Sequence, residues 1–458
     1  MNYHKTFSLS LQKKLEKRKL GLDFELNKAF DDLKIKSLLH RSHIVKQKGY
    51  STATLLYMII LLPFLKKYLS YFWSAKCFSH QIDAQKDTYY RFLNCERFNW
   101  RKFLYFLAIK IIATFDKAPL SESTLIVDDT IACKSGKDME LVSYHFDHKT
   151  KRSILGNQCL QLGYHNGTYF FPIDMAFHTS KNRPNTRMRD IDKRTNGWCR
   201  RKEALRKKTD VLLEMLDRAW KSGIDASFVL FDSWFAHDAV ISKIYALGYG
   251  VICRLKRGRV KYGYQGQDYT LKQLWQVAKK STRWLEKFQV KTVCLNVTLP
   301  KCGDVRILFV SDGKKQWQAF LCTDLQLEAS EILTYYARRW TIEIFFKDAK
   351  QMLYLGKEQS NTFDAAVTCY SLVMIRYLLL VYILSRYEFT GVGPLFRDLS
   401  DSHLQLCFAE KIWNHIKELM LTSSNLICHD FNSDIMFYLL DIVEEAIVNQ
   451  IQFFPAKL

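Results

Sequence analysis

Three acidic residues, far apart in the chain, end or sit within segments whose patterns would let them meet. Asp129 ends the β-forming run TLIVDDT (Thr124–Thr130), Asp232 ends SFVLFDSW (Ser227–Trp234), and Glu343 lies in the helix-forming TYYARRWTIEIFFKDAKQM. Carboxylates are hard oxygen ligands, and three of them can hold two divalent ions that keep waters and bind phosphate oxygens. In such a pair one ion activates an attacking water or 3′-hydroxyl, and the other stabilises the leaving oxygen of an in-line displacement. Tyr336, Arg339, Glu343, Lys347 and Lys350 recur three or four residues apart, so on one helix they share a face. Arg339 is suited to clamp a phosphate with two donors, and Lys350 to act as a point charge. Taken singly, each residue has a plainer meaning. An Asp at a strand end is usually a turn or cap residue, and Glu343 with Lys347 could be a surface pair worth about 0.2–0.5 kcal/mol. The three acids together are not explained that way. Asp128 competes with Asp129, because alternation along LIVDD turns the two to opposite sides and only one can face the site.

The elements around these acids follow a definite order. After Thr124–Thr130 come strand-like runs at Ser153–Tyr164 and Tyr169–His178, joined by the turn His165-Asn166-Gly167-Thr168. A basic connection, Thr179–Thr209, carries 12 Lys and Arg against 3 acids. Glu203–Lys221 reads as an amphipathic helix, Ser227–Trp234 as a strand, His237–Leu247 as a helix and Tyr249–Arg257 as a strand. Three strands followed by βα alternation is the order of an RNase H-like domain, in which the first and fourth strands are neighbours. The closing helix is delayed to Glu328–Leu355 by strand-like pieces at Gln289–Leu299, Val305–Ser311 and Trp317–Thr323. The expected architecture is therefore α/β: an RNase H-like mixed sheet (121–257 and 326–390) with a β-rich insertion (258–325). A helical DNA-binding domain (1–120) precedes it, and a helical C-terminal region (391–458), suited to packing or dimerisation, follows.

Composition narrows the partner. The 458 residues carry a formal net charge of +22, with 48% hydrophobic and 14% aromatic residues, enough to bury cores and to require a polyanion. Residues 1–120 hold 22 Lys and Arg against 9 acids and residues 121–358 hold 40 against 26, whereas 359–458 hold 6 against 11. DNA is thus expected on the first three-quarters of the chain. Within Lys86–Phe115, Arg91, Arg101 and Lys102 alternate with aromatics in a way that suits phosphate contact. The twelve cysteines include no CxxC pair, the closest two being Cys294 and Cys302, which reads as reduced thiols in a cytoplasmic protein. The N-terminus lacks an apolar signal core. Val367–Leu384 is long enough to span a bilayer, but Arg376 at its centre favours a buried helix.

At the closing helix the chain resembles the bacterial cut-and-paste DDE transposases of the YREK group, the insertion-sequence-four family. Its signature Y-x2-R-x3-E-x6-K is matched by Tyr336, Arg339, Glu343 and Lys350, with Trp340 after the Arg. The family's first acid, commonly followed by D-T, favours Asp129; its second acid matches Asp232-Ser233-Trp234-Phe235. The resemblance spans about 121–358. It implies Asp129, Asp232 and Glu343 as catalytic metal ligands, two Mg²⁺ ions (with Mn²⁺ substituting), nicking of transposon ends, a hairpin intermediate and strand transfer. It implies as partners the terminal inverted repeats and target DNA, a homodimer in the synaptic complex, and a nucleoid-associated location. Tyr336 and Arg339 would hold phosphates near the cleaved end, Lys350 would support the transferred strand, and Trp317 or Trp340 would capture a flipped base; Lys347, on the same helix face, is a further candidate DNA contact. A non-catalytic DNA-binding relative, another RNase H-like nuclease and a membrane protein are the competing readings. The intact acid set, the basic N-terminal region and Arg376 speak against them in turn.

Overall fold

The structure, a computed structural model, describes residues 21–69, 84–115, 119, 122–147, 150–185, 187–313, 316–357 and 359–402. The expected C-terminal packing region therefore lies outside the described residues from 403 onward. The chain divides into two compact units, one of residues 1–34, 56–86 and 382–458, the other of 35–55 and 87–381. In the first, helix α1 (Leu22–Asp32) buries Leu22, Leu26 and Ala29. Tyr57 donates to Asp23 at 2.9 Å, and Arg386 pairs with Glu25 at 2.6 Å.

The second unit opens with helix α2 (Ile35–Arg41); helix α3 (Thr52–Leu61) runs across the boundary. Helices α4 (Lys86–Leu93) and α5 (Trp100–Ile112) follow. In α5 the apolar positions Phe103, Leu104, Leu107, Ala108 and Ile111 recur at helical spacing and are buried, while the Asn99 side chain accepts from the Lys102 amide to cap the first turn. Four strands then form: β1 (Thr124–Cys133), β2 (Ser143–Asp147), β3 (Arg152–His165) and β4 (Phe170–His178). Leu125, Ile126 and Val127 are fully buried, as a strand covered on both faces requires. The β3–β4 turn needs Gly167, whose φ of +95° excludes a side chain without strain.

Helices α6 (Asn196–Ala204) and α7 (Lys208–Lys221) come next, then strand β5 (Phe228–Phe231), helix α8 (Asp238–Ala246) and strand β6 (Gly250–Arg254). Strand β3 lies antiparallel to β1 and β4 antiparallel to β3, whereas β5 and β6 continue from β1 in parallel. The order β4-β3-β1-β5-β6 is the RNase H-like arrangement. Short β2 adds to the free side of β3's first half; sequence patterning did not find it, because five residues with a mixed burial pattern carry no clear alternation.

The delayed segment supplies β7 (Lys261–Tyr264), β8 (Gln267–Thr270), α9 (Leu271–Ala278), β9 (Arg283–Leu285), β10 (Val290–Leu299), β11 (Gly303–Ser311) and β12 (Trp317–Cys322). It does not stand apart from the sheet. Strand β12 returns antiparallel to β6, pairing Cys322 with Ile252 and Phe320 with Arg254, and β11, β10, β7 and β8 extend the same twelve-stranded sheet outward.

The closing segment is two helices rather than one, α10 (Ala329–Ala337) and α11 (Trp340–Gln351). Between them the bonds tighten to three-residue spacing: Arg339 N–H donates to Tyr336 O, and Thr341 N–H and its hydroxyl both donate to Arg338 O. Helix α12 (Phe363–Leu384) is the only described helix long and apolar enough to cross a membrane. Its apolar window is 94% buried within the protein, and Arg376 donates to Leu353 O at 3.1 Å.

Candidate active site

Strand alternation decides which acid of the Asp128–Asp129 pair faces which layer. Leu162 of β3 faces Val127 and Asp174, so Val127 and Asp174 share a side, and Asp129, two residues on, shares it too. On that side Lys208 of α7 pairs with Asp129 at 2.6 Å. Asp128 points the other way, toward α11. The Arg339 guanidinium donates to Asp128 Oδ2 at 3.1 Å and also to Glu343 Oε1. Asp128, Arg339 and Glu343 thus form one cluster, and Asp129 lies across the sheet from it. This differs from the motif-based choice of Asp129: the side chain that meets the Glu343 helix is that of Asp128, and the physical reason is the two-residue period of the strand.

Asp232 follows β5 directly. The parallel register pairs Val127 with Phe231, so Asp128 and Asp232 are the next residues on adjacent strands. Tyr336 connects this second acid to the first cluster. Its ring lies under the Arg339 guanidinium at 5.6 Å and packs on Phe320 at 4.7 Å. Its phenol is pushed up by burial, with Arg339 opposing and the Asp232 charge adding to the rise. For Asp128, burial is the largest influence and raises the carboxyl to about 6, against the pull of Arg339 and the Asp129 amide. The Asp129 amide donates to Asp128 Oδ1 at 2.8 Å.

Beside Asp232 a cavity of about 540 Å³ opens between β5, β6 and β12. Asp232, Trp234, Arg254, Lys256, Arg257 and Trp317 line it. Trp317 stacks on Trp275 at 5.5 Å with 22° between the rings, and Arg257 covers it at 4.1 Å. Aromatic faces among cations offer both base stacking and phosphate contact. Lys208 sits 3.9 Å over the Trp234 ring while it pairs with Asp129. Behind it, His145 accepts from or donates to Ser143 at 2.8 Å, and burial, with His178 and Lys208 adding to it, lowers its ring to about 4.

Other expected residues divide sharply. Trp340 is 59% exposed on the same helix as Glu343, beside exposed Ile344, Lys347 and Lys350. Arg91 is exposed and 3.8 Å from Asp87. Lys102 lies over the Phe106 ring at 5.6 Å. Arg101, expected on a DNA-facing surface, is instead committed to the interior: it pairs with Asp174 at 2.9 Å and Glu203 at 2.7 Å and donates to Met175 O. The aromatics Tyr89 and Trp100 around it are buried. Lys208 and the Arg254–Arg257 wall were not singled out in the sequence, since both fall in segments where Lys and Arg are common.

Among the described residues no three His, Cys, Asp or Glu side chains are grouped as a ready metal cluster. The donor chemistry nevertheless fits: Asp128, Asp232 and Glu343 offer only carboxylate oxygens, the ligands hard divalent cations take, and it is Arg339 that currently engages two of them.

The fold is RNase H-like, with Asp128 midway along central strand β1, Asp232 directly after its parallel neighbour β5 and Glu343 on the closing helix α11. Residues 75–273 match the model of the DDE superfamily endonucleases, and residues 201–379 match the transposase DDE domain. The chain is a DDE transposase. No curated protein matches it in sequence. Among solved structures it is similar to the NurA nuclease from Sulfolobus solfataricus (9% identity, TM-score 0.25, covering 48% of this chain and 72% of that one). It is also similar to the Drosophila P element transposase strand transfer complex (9% identity, TM-score 0.24, covering 80% and 87%).

Proposed function

We propose that this transposase, a member of the YREK group, nicks the ends of its element and joins them to target DNA, with Asp128, Asp232 and Glu343 as the metal-holding carboxylates. The observation that carries this reading is the joint arrangement of β1, β5 and α11: the Val127–Phe231 register and the Arg339 bridge from Asp128 to Glu343. Mg²⁺ or Mn²⁺ bound by these oxygens would supply activation of the attacking oxygen and charge neutralisation at phosphorus. The chain's own groups do the rest. Arg339 and Tyr336 hold the phosphate beside the cut, Lys347 and Lys350 present charge along the exposed side of α11, and the Trp317–Arg257 stack receives an unstacked base, as a hairpin route requires. Residues 1–120 serve end recognition, and two copies act on paired ends in the cytoplasm.

The test uses the full chain and a duplex carrying the inverted repeat that brackets its coding region. Asp128→Asn, Asp232→Asn and Glu343→Gln are each expected to abolish Mg²⁺-dependent nicking while a gel-shift assay still detects end binding. Nicking that persists in any one of them removes that residue from the site.

A further inference from the structure

Arg339 occupies an unusual position for a residue assigned to hold DNA. Its two terminal nitrogens are spent on carboxylates from different elements, Asp128 of β1 and Glu343 one helical turn along α11. The side chain is 14% exposed, and its Nε, although buried, has no partner. The seated guanidinium takes up one oxygen of each carboxylate and places a positive charge beside both, so a divalent cation is bound there only against that charge and with fewer open lone pairs. A phosphate is the better partner for the fork, because it accepts two parallel N–H bonds and is itself the group the active site must admit. Tyr336 provides the surface on which the guanidinium can turn, since its ring already lies 5.6 Å beneath.

We infer that Arg339 is a latch that couples engagement of a DNA end to metal loading. Without DNA it joins Asp128 to Glu343 and holds divalent ions off. A phosphate of the docked end takes over the guanidinium, with the unpartnered Nε completing the fork, and both carboxylates become available. Metal-dependent nicking is thereby withheld until an end is in place. The inference rests on the proposed metal-holding role of Asp128 and Glu343.

The test reads metal binding rather than turnover. Free Mn²⁺ is followed by electron paramagnetic resonance in titrations of the full chain, with and without an end duplex whose 3′ terminus is dideoxy and cannot be joined. Wild type is expected to bind Mn²⁺ weakly alone and on the order of 10-fold more tightly with the duplex, a coupling within the usual range for linked sites. Arg339→Gln should bind Mn²⁺ tightly without DNA and gain less than about twofold from the duplex, the loss of that coupling. Equal DNA-free affinity in wild type and Arg339→Gln overturns the latch. Should Arg339→Gln fail to fold, Arg339→Lys, which keeps the charge but not the fork, must show the same DNA-independent tightening in weaker form, or the latch is lost. Glu343→Gln separates the two levels. If it leaves Mn²⁺ binding intact, the metal-holding reading itself falls; if it removes binding while Arg339→Gln behaves as wild type, only the latch falls.

Discussion

Two arginine–carboxylate clusters lie on opposite sides of the same sheet, and they differ in everything except composition. Around Asp174, Arg101, Arg200, Arg218 and Glu203 form a closed set: Asp174 is fully buried, Arg101 and Arg218 each reach it at 2.9 Å, and Glu203 offsets a second charge, so three guanidiniums face two carboxylates. Burial alone would raise the Asp174 carboxyl, but the three arginines outweigh it and hold it down to about 2. Around Asp128 a single arginine serves two acids, and burial wins, leaving that carboxyl at about 6. The first cluster has as many cations as its burial demands and no reason to change partner. The second is short of positive charge and half open, so an incoming cation or phosphate alters it. Residue type does not separate a structural ion network from a reactive one; the ratio of charges and the access of solvent do.

The largest effect is expected within the Asp128–Asp129 pair: Asp128→Asn should slow end nicking on the order of 10²–10³-fold or more, the scale of losing charge stabilisation at a reacting centre. Asp129→Asn should retain measurable nicking. A dead Asp129→Asn beside an active Asp128→Asn would return the first acid to Asp129. Next, Arg101→Ala should cost about 3–5 kcal/mol by stranding buried Asp174 and Glu203, read as a lower denaturation midpoint. Arg339→Ala should cost less than Arg101→Ala, because Asp128 and Glu343 keep partial access to solvent where Asp174 has none; a loss as large as Arg101→Ala would erase the distinction.

Acid sensitivity should follow the Asp174 side of the sheet in two stages. The His145 ring is lowered to about 4, below an unfolded value of roughly 6.5. Its contribution is therefore complete above that pH and lost as pH falls toward 4. Asp174, lowered to about 2, contributes fully above roughly pH 4 and loses its contribution as pH falls toward 2. Melting temperatures measured from pH 7 to pH 3 should decline in that order, and His145→Gln should remove the upper stage alone. The smallest effect is expected at Arg91, where replacing the exposed partner of Asp87 by Ala should change stability by less than about 0.5 kcal/mol.

Much of the fold was legible because its signals are local. The β3–β4 hairpin carries Asn-Gly at the turn, and β10, β11 and β12 announce themselves by composition, their observed bounds lying within two residues of expectation. What failed was long-range. That β12 pairs with β6 depends on partners more than 60 residues apart, which no window of sequence reports. Arg101 looked like a phosphate contact because Arg and aromatics interleave around it, but its fate was set by Asp174 and Glu203, 73 and 102 residues away. At the first acid, alternation does turn the two adjacent residues to opposite sides of the sheet, Asp129 toward Lys208 and Asp128 toward Arg339. Choosing between them needed the side of the sheet on which α11 packs.

Strand β12 has a mechanical consequence. Since it is hydrogen-bonded to β6 on one side and β11 on the other, the delayed segment is planked onto the core and cannot swing as a jointed arm. Any load on β10 passes through β11 and β12 to β6, the strand beside β5, which Asp232 directly follows. Accommodation of differently shaped substrates must then come from rotating side chains such as Trp317 and Arg257 at the seam, while the spacing of the underlying scaffold stays fixed.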